Sequence, residues 1–256
     1  MRIATWNVNS LKARLPRVEA WLSDLQPDVV CLQETKLADS AFPALTFAAL
    51  GYESVHHGEG RWNGVAILSR VGLDDPMNGF GPDDDDPEAR LVWATCGGIR
   101  IASAYVPNGR SLDDDHYRYK LAWLAKLQAL LETDHDPVGP LVIAGDYNIA
   151  PTDLDVWNPA RFEGATHVSA PERDALAAMQ AWGLTDSFRV LQPEAGLYSW
   201  WDYRGGSFHK KEGMRIDLLM ATRPVVDRLT FATIDRNARK GQQPSDHAPV
   251  LIDLAD

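Results

Sequence analysis

The chain contains the stretch Leu141-Val142-Ile143-Ala144-Gly145-Asp146-Tyr147-Asn148, in which an apolar run meets a glycine and then polar side chains. An unbroken apolar run is typical of a strand that is covered on both faces of its sheet. The chain turns at Gly145 and presents Asp146 and Asn148 where the apolar pattern stops. The stretch therefore predicts a buried strand that delivers a carboxylate and an amide to one edge of a sheet.

Other predicted strands also carry polar side chains at an end: Asn7 in 3–8, Glu34 after 29–32, and Asp246 with His247 before 250–254. The last pair stands between Pro244 and Pro249, so that segment is not helical. Asp217 lies inside the apolar stretch 215–221, where a buried carboxylate needs a partner. Because these groups recur at strand ends, we expect them to gather along one rim.

The gathered set is rich in oxygen ligands, with one imidazole and no thiolate. Such a set suits a hard cation, Mg²⁺ or Mn²⁺, better than zinc, because Mg²⁺ prefers carboxylate oxygens, water and substrate phosphate. The pattern therefore indicates phosphoryl chemistry. Each residue also has a structural interpretation: Asn7 and Asn148 as turn residues, Glu34 as a surface charge, and Asp217 as the ion-pair partner of Arg215.

Length and composition favour a single domain over residues 1–256. The chain is 45% hydrophobic with 9 Trp, enough for a sizeable core, and no flexible linker divides it. No apolar run approaches the roughly 18 residues of a membrane span, and a strand begins at once, so we expect neither a membrane anchor nor a signal peptide. Only Cys31 and Cys96 are present, which favours the cytoplasm.

Local signals predict strands and helices in alternation. A hairpin over 91–105 turns at Gly97-Gly98, which places Tyr105 at a strand end. Three amphipathic helices are expected: one from Pro16 to the residues before Pro27, one through Leu124, Leu127 and Leu131, and one from the Ser169/Glu172 capping box to Gly183. Hairpins mixed with such units indicate an α/β fold with mixed sheets.

The net charge of −11 and the pI near 5.0 exclude a purely electrostatic DNA coat. Much of the acid is local, in the runs 83–86 and 113–115, which we interpret as solvated loops. Basic residues cluster near the motif loops: Arg110, Arg118 and Lys120; His209, Lys210, Lys211 and Arg215; Arg236, Arg239 and Lys240. We expect a charged rim that grips a phosphate backbone around an acidic metal site.

The chain resembles the exonuclease III family of apurinic/apyrimidinic endonucleases, within the endonuclease/exonuclease/phosphatase superfamily. The motifs that carry the resemblance follow one another along the whole chain: 6–9 (WNVN), 32–36 (LQETK), 63–66 (NGVA), 105–109 (YVPNG), 145–152 (GDYNIAPT), 215–217 (RID) and 245–247 (SDH). The resemblance implies a four-layer sandwich of two mixed β-sheets flanked by helices, in a single domain.

With that resemblance, each candidate residue takes a task. Glu34 and Asn7, with Asp246, would hold Mg²⁺, for which Mn²⁺ could substitute; in a two-metal alternative Asp146 and Asn148 are also ligands. As catalytic groups, Asp146 would activate water, Asn148 position it, Asp217 orient His247, and Tyr105 bond the phosphate. The substrate-binding set is Asn108, Arg110, Lys120, Lys211 and an apolar slot for an abasic sugar formed by Trp200, Met214 and Ile216. Met214 departs from the aromatic residue of some relatives.

The resemblance implies a magnesium-dependent DNA repair nuclease. It would cut 5′ to abasic sites and leave a 3′-hydroxyl, with 3′-5′ exonuclease and 3′-end trimming activity on double-stranded DNA. The expected partner is duplex DNA with abasic sites or 3′ blocks, and the expected state is a cytoplasmic monomer without membrane association. Two alternatives stay open: a phosphatase or phosphodiesterase of inositol phosphates or sphingolipids, which the acidic balance also suits, and a non-catalytic binding module.

Overall fold

Two six-stranded sheets form the centre of the computed structural model, which describes residues 1–82 and 84–256. The strands are β1 Arg2–Asn7, β2 Val29–Gln33, β3 Glu53–His57, β4 Val65–Ser69, β5 Asp74–Asn78, β6 Leu91–Cys96, β7 Ile99–Tyr105, β8 Leu141–Asp146, β9 Leu184–Asp186, β10 Asp217–Thr222, β11 Leu229–Ile234 and β12 Val250–Leu254. One sheet has the order β11-β12-β1-β2-β4-β3 and the other β5-β6-β7-β8-β10-β9. Of the acidic run 83–86, Asp83 lies outside the described residues.

Both sheets are mixed, as predicted. In the first, β1 and β2 are parallel and the other pairs are antiparallel. In the second, only the β7–β8 pair is parallel among the described pairings. The α-helices are α1 Leu11–Leu25, α2 Ala44–Ala49, α3 Asp115–Asp134, α4 Ala170–Trp182, α5 Ser187–Leu191, α6 Ser207–Lys210 and α7 Arg223–Val226. Each parallel pair is joined through a long helix, α1 or α3, as parallel connections require.

The core is divided into layers that confirm the four-layer sandwich. Between the sheets, β1 and β2 residues such as Ile3 and Val29 pack with Ile101 of β7 and Val142 of β8. A second cluster lies under α3 and α4, and a third lies under α1 and α2. Because both sheets are covered on both faces, β2, β4, β8 and β10 are buried along their whole length.

The local signals located most of the elements. The 91–105 hairpin forms with Gly97 and Gly98 at positive φ, and the capping box opens α4. The predicted start of the first helix was wrong, because α1 begins at Leu11 and contains Pro16. The amides of Ser10 and Leu11 donate to the carbonyls of Glu34 and Thr35, so tertiary contacts start the helix earlier.

Across residues 1–82 and 84–256, no helix combines the length and apolar character that a membrane crossing needs.

Candidate active site

The polar strand ends meet at one edge of the sandwich, where Asn7 bridges the two sheets. Its Nδ2 donates to Glu34 Oε1 at 2.8 Å and to Asp146 Oδ2 at 2.9 Å. The backbone amide of Asn9 donates to Asn7 Oδ1 at 3.0 Å, which fixes the orientation of the Asn7 amide. Asn7 therefore clamps a carboxylate from one sheet against a carboxylate from the other.

Glu34, Asp146 and His247 form a cluster that could hold a metal ion. One ligand atom of each lies within 4.8 Å of the others. Two carboxylates at a polar rim fit a hard divalent cation. Asn7 faces this cluster with its amino group, so a contact from Asn7 Oδ1 to a cation would require the amide to turn.

Asp246 lies to one side of this cluster. Its Oδ1 accepts from Asn9 Nδ2 at 3.0 Å and its Oδ2 accepts from Trp200 Nε1 at 3.1 Å. Both oxygens are thus engaged by neutral donors. The structure brings Glu34 and Asp146 together, whereas Asp246 borders the site through Asn9 and Trp200.

The loop that carries Glu34 has unusual backbone geometry. Glu34 and Lys36 have φ of +52° and +53°, a left-handed conformation that costs energy for residues with a Cβ. Lys36 Nζ bonds Glu34 Oε2 at 2.8 Å, and the Thr35 amide donates to the Gly64 carbonyl. A Cβ at Gly64 would stand 2.1 Å from Thr35 Oγ1, so this glycine is needed for the close approach. The 63–66 motif thereby supports the carboxylate of Glu34.

Asp217 and His247 form a buried pair. Asp217 is fully buried, and His247 Nδ1 donates to its two oxygens at 2.9 and 3.1 Å. Ser199 Oγ donates to Asp217 Oδ2 at 2.6 Å. Burial lowers the pKa of His247, but the carboxylates of Asp217 and Asp146 outweigh it and raise this pKa to about 10. His247 is therefore an imidazolium at neutral pH.

The alternative that Asp217 pairs with Arg215 was wrong. Arg215 is also fully buried, but it bonds Asp155 at 2.7 Å and Asp186 at 2.7 Å. Arg215 consequently belongs to an internal ion network and does not contribute to a charged surface. Its two carboxylate partners satisfy the guanidinium that burial would otherwise destabilise.

Asp146 faces the protonated imidazole. The distance from His247 Nε2 to Asp146 Oδ2 is 3.7 Å. Burial raises the pKa of Asp146 to about 7, although His247 acts in the opposite direction. A carboxylate with a pKa near neutrality can exchange a proton with a bound reactant.

Asn148 and Asn108 form one unit beside Asp146. Asn148 has φ of +50°, and its Nδ2 donates to the Val106 carbonyl at 2.9 Å. Asn108 Nδ2 donates to Asn148 Oδ1 at 3.0 Å, and Asn108 itself is exposed. Tyr105 lies nearby: burial, followed by the charge of Glu34, raises its pKa well above the usual range. The structure thus brings these three predicted residues to the same rim.

The prediction that Lys120 binds DNA was wrong. Lys120 is fully buried and forms an ion pair with Glu172. Its Nζ also donates to the carbonyls of Asn148 at 2.7 Å and Asn108 at 3.3 Å. Lys120 therefore holds the Asn148 and Asn108 loops from beneath and cannot reach a strand.

His167 was missed because it lies in a loop between motifs, and no local pattern marks it. Its Nδ1 donates to the Asn148 carbonyl at 2.6 Å, and its φ is +78°. Burial and the charge of Lys120 lower the pKa of His167 to about 4, so the ring is neutral. A neutral imidazole thus adds to the support of Asn148.

The three residues of the predicted apolar slot lie together, but they are unequally exposed. Met214 and Ile216 are 1% and 2% exposed within a cluster that also contains Val156, whereas Trp200 is half-buried. The backbone of Trp200 forms bridges to Met214 and His247, so its ring lies beside the catalytic candidates. Trp200 therefore provides most of the apolar surface in this slot.

The remaining predicted substrate-binding residues are on the surface. Arg110 and Lys211 are exposed and have φ of +58° and +60°. Arg110 lies two residues after Asn108, and Lys211 follows α6. Both could meet a strand that approaches the rim.

With this geometry established, comparisons with known proteins identify the family. The model of the "Endonuclease/Exonuclease/phosphatase family" matches residues 4–247. The chain belongs to this family. It is 36% identical to exodeoxyribonuclease III of Haemophilus influenzae, over 99% of this chain and 100% of that protein. The resemblance noted in the sequence is therefore confirmed.

Two solved structures cover 100% of this chain and are themselves covered over 100% of their length. A 3′ phosphatase from Neisseria, bound to a product DNA hairpin, has a TM-score of 0.96 and 39% identity. An AP endonuclease from Archaeoglobus fulgidus has a TM-score of 0.96 and 34% identity. The family member described here is accordingly a DNA repair nuclease, a metal-dependent phosphodiesterase that acts on DNA.

Proposed function

We propose that this nuclease hydrolyses duplex DNA with Mg²⁺, both 5′ to abasic sites and at blocked 3′ ends, and leaves a 3′-hydroxyl. The observation that carries this proposal is the approach of Asp146 to protonated His247, 3.7 Å apart, beside the carboxylate of Glu34. A base and a cationic donor that face each other across a phosphate-sized gap suit attack by water on a phosphorus centre.

In this mechanism Asp146 accepts a proton from the attacking water, since its pKa of about 7 lets it be ionised at neutral pH and still bind a proton. Asn148 positions that water and donates to the phosphate. His247 Nε2 donates to a non-bridging oxygen, where negative charge increases in the transition state. Asp217 orients the imidazole through Nδ1. Tyr105 offers a further hydroxyl to the phosphate or to the metal ligands.

Glu34 and Asp146 would hold Mg²⁺, or Mn²⁺ in its place, with Asn7 and Asp246 at the border of the site. A bound divalent ion would polarise the scissile phosphate and stabilise the leaving oxyanion. In a two-metal arrangement Asp146 and Asn148 become ligands as well. The donor set supports either arrangement, because it consists of oxygens with one imidazole.

For substrate choice, Trp200 supplies an apolar face against which an abasic sugar or a terminal nucleotide can pack. Asn108, Arg110 and Lys211 are the exposed groups available to the backbone phosphates. The relatives include both a 3′ phosphatase and an AP endonuclease, so both activities are proposed for this chain. We further propose that residues 1–256 act as one domain, as a monomer, in the cytoplasm, which the two free cysteines Cys31 and Cys96 support.

A panel of labelled substrates tests the proposal: duplexes with an abasic site, a 3′ phosphate or an RNA strand, intact duplex, and an inositol phosphate. We expect incision 5′ to the abasic site and release of the 3′ phosphate, each only with divalent metal. Asp146→Asn is the matched inactive control. Hydrolysis of inositol phosphate without cleavage of DNA would transfer the chain to the small-molecule branch of the family, and no hydrolysis of any substrate would favour a binding module.

A further inference from the structure

A second candidate site lies in a cleft beside the active site, between residues 202–209 and 239–244. The cleft has a volume of about 340 Å³. Three of its lining residues, His209, Arg239 and Lys240, carry basic side chains. Asp202 also lines it, but this carboxylate is already engaged by the backbone amide of Arg204 at 2.8 Å and by its guanidinium. The cleft therefore has a surplus of cationic groups, although the whole chain is acidic.

Arg239 is the unusual member of this set. It is only 8% exposed, and its Nε is buried without any hydrogen-bond partner. Among the described residues its guanidinium forms no hydrogen bond or ion pair, and its neighbours are the rings of Tyr203 and Phe208, at 5.0 and 5.3 Å. A buried charge without an acceptor is costly unless a ligand supplies one. Two aromatic rings that hold a guanidinium in place also preorganise it for an anion.

The cleft is joined to the active site by its walls. Tyr203 lies three residues after Trp200, and its hydroxyl donates to the Pro244 carbonyl at 2.8 Å. Pro244 lies two residues before Asp246. Arg14 Nη2 donates to the Tyr203 hydroxyl, and its Nη1 donates to the Asn9 carbonyl, which ties the cleft to the loop after β1. A strand whose scissile phosphate lies at Asp146 would therefore pass close to the cleft.

We propose that this cleft binds a non-scissile phosphate of the substrate DNA strand, with Arg239 as the anchor and Lys240 and His209 as the outer contacts. The inference rests on the proposed nuclease function and extends it, because it assigns a second, non-reacting phosphate to the same substrate. Arg239 provides the fixed, fork-shaped donor that suits phosphate oxygens. Lys240 and His209 add charge at the mouth.

The test measures binding of a duplex with a 3′ phosphate by fluorescence anisotropy at several salt concentrations, in the non-cleaving Asp146→Asn background. Arg239→Met retains a chain that can pack between the rings but removes the charge. We expect its affinity to fall about 10-fold or more, as for the loss of a charge-assisted bond. The slope of log K against log salt should decrease in magnitude by about 0.9, the value for one phosphate contact.

Two further variants keep the result interpretable. Arg204→Met is the matched control, because it removes the same charge from an exposed side chain in the same segment; its slope should change less. Lys240→Met alters an exposed residue of the cleft, so it decides the matter if Arg239→Met fails to fold. Parental slopes in the folded cleft variants, or an equal loss in Arg204→Met, would overturn the proposal. Failure of the Asp146→Asn parent to bind duplex at all would instead refute the nuclease function.

A second arm distinguishes a strand phosphate from a free anion. The melting temperature is measured with increasing inorganic phosphate, without DNA, for the parent and Arg239→Met. We expect at most a small stabilisation of the parent, because a single free phosphate lacks the contacts of a strand. If Arg239→Met abolished a large phosphate-induced stabilisation but left DNA affinity unchanged, the cleft would be a site for a free anion, and the strand assignment would be wrong.

Discussion

Replacement of Asp217 by Asn should impair catalysis through His247 and should leave the fold intact. The carboxylate accepts from His247 Nδ1 at 2.9 and 3.1 Å, in a fully buried position. A hydrogen bond to a charged group contributes about 1.5–3 kcal/mol. Loss of this orientation in the transition state therefore predicts about a 10- to 150-fold lower rate. His247→Ala, which removes the donor to the phosphate, should cost about 100- to 1000-fold.

The assay is single-turnover cleavage of duplex DNA by Asp217→Asn, His247→Ala and the double variant, with melting temperatures as the control for folding. Because Asp217 acts only through the imidazole, the double variant should be scarcely slower than His247→Ala. If the two losses multiplied instead, Asp217 and His247 would not function as a pair and the assigned roles would be wrong.

The dependence of the rate on pH gives this prediction a sign. Asp217 is the main group that raises the pKa of His247 from 6.5 to about 10, so the wild-type imidazole keeps its proton across neutral and mildly alkaline pH. Activity that needs this proton is complete well below pH 10 and is lost as pH rises through that value. In Asp217→Asn the alkaline fall should occur at lower pH. An unchanged alkaline limb would mean that His247 is not the group that titrates there.

Three further predictions concern the metal site, the supporting ion pair and the apolar face. Glu34→Gln should weaken Mn²⁺ binding, measured by electron paramagnetic resonance, and high Mg²⁺ should restore part of its activity; unchanged binding would remove Glu34 from the ligands. Lys120→Met should lower stability by about 3–5 kcal/mol, because it leaves the carboxylate of Glu172 buried and unpaired, and denaturant unfolding would show it. The same variant should leave the salt dependence of DNA binding unchanged, since Lys120 is fully buried; a smaller slope would return it to the DNA contacts. Trp200→Ala should reduce the preference for abasic over intact DNA more than it reduces exonuclease activity, and equal losses in competition assays would contradict this role.

The sequence predicted the parts of the fold that depend on local signals. Gly97-Gly98 defined the β6–β7 hairpin, and Ser169 with Glu172 defined the start of α4. Edge strands were less predictable: β5 is exposed, contains Pro76 and has an irregular register with β6. Its pairing depends on the neighbouring strand, so a local pattern cannot reveal it.

For the candidate site, the sequence predicted the residues at strand ends better than the charges between motifs. Glu34, Asp146 and His247 were found because each stands at a strand boundary, and the structure brings them within 4.8 Å. Lys120 and Arg215 have the composition of a DNA-binding surface, yet both are buried. Their partners are distant along the chain, 52 residues away for Lys120 and 60 for the Arg215–Asp155 bond. Only the tertiary fold shows that these cations are neutralised inside the protein.

The central claim is that Asp146 and a divalent metal together hydrolyse DNA at this rim. The most direct measurement follows a duplex with a 3′ phosphate and one with an abasic site, under single-turnover conditions, with Mg²⁺ or with chelator. The wild type should release phosphate and produce a 3′-hydroxyl only with Mg²⁺, and Asp146→Asn should bind the same duplexes but cleave them at least about a hundredfold more slowly. Full-rate cleavage in chelator, or by Asp146→Asn, would contradict the account.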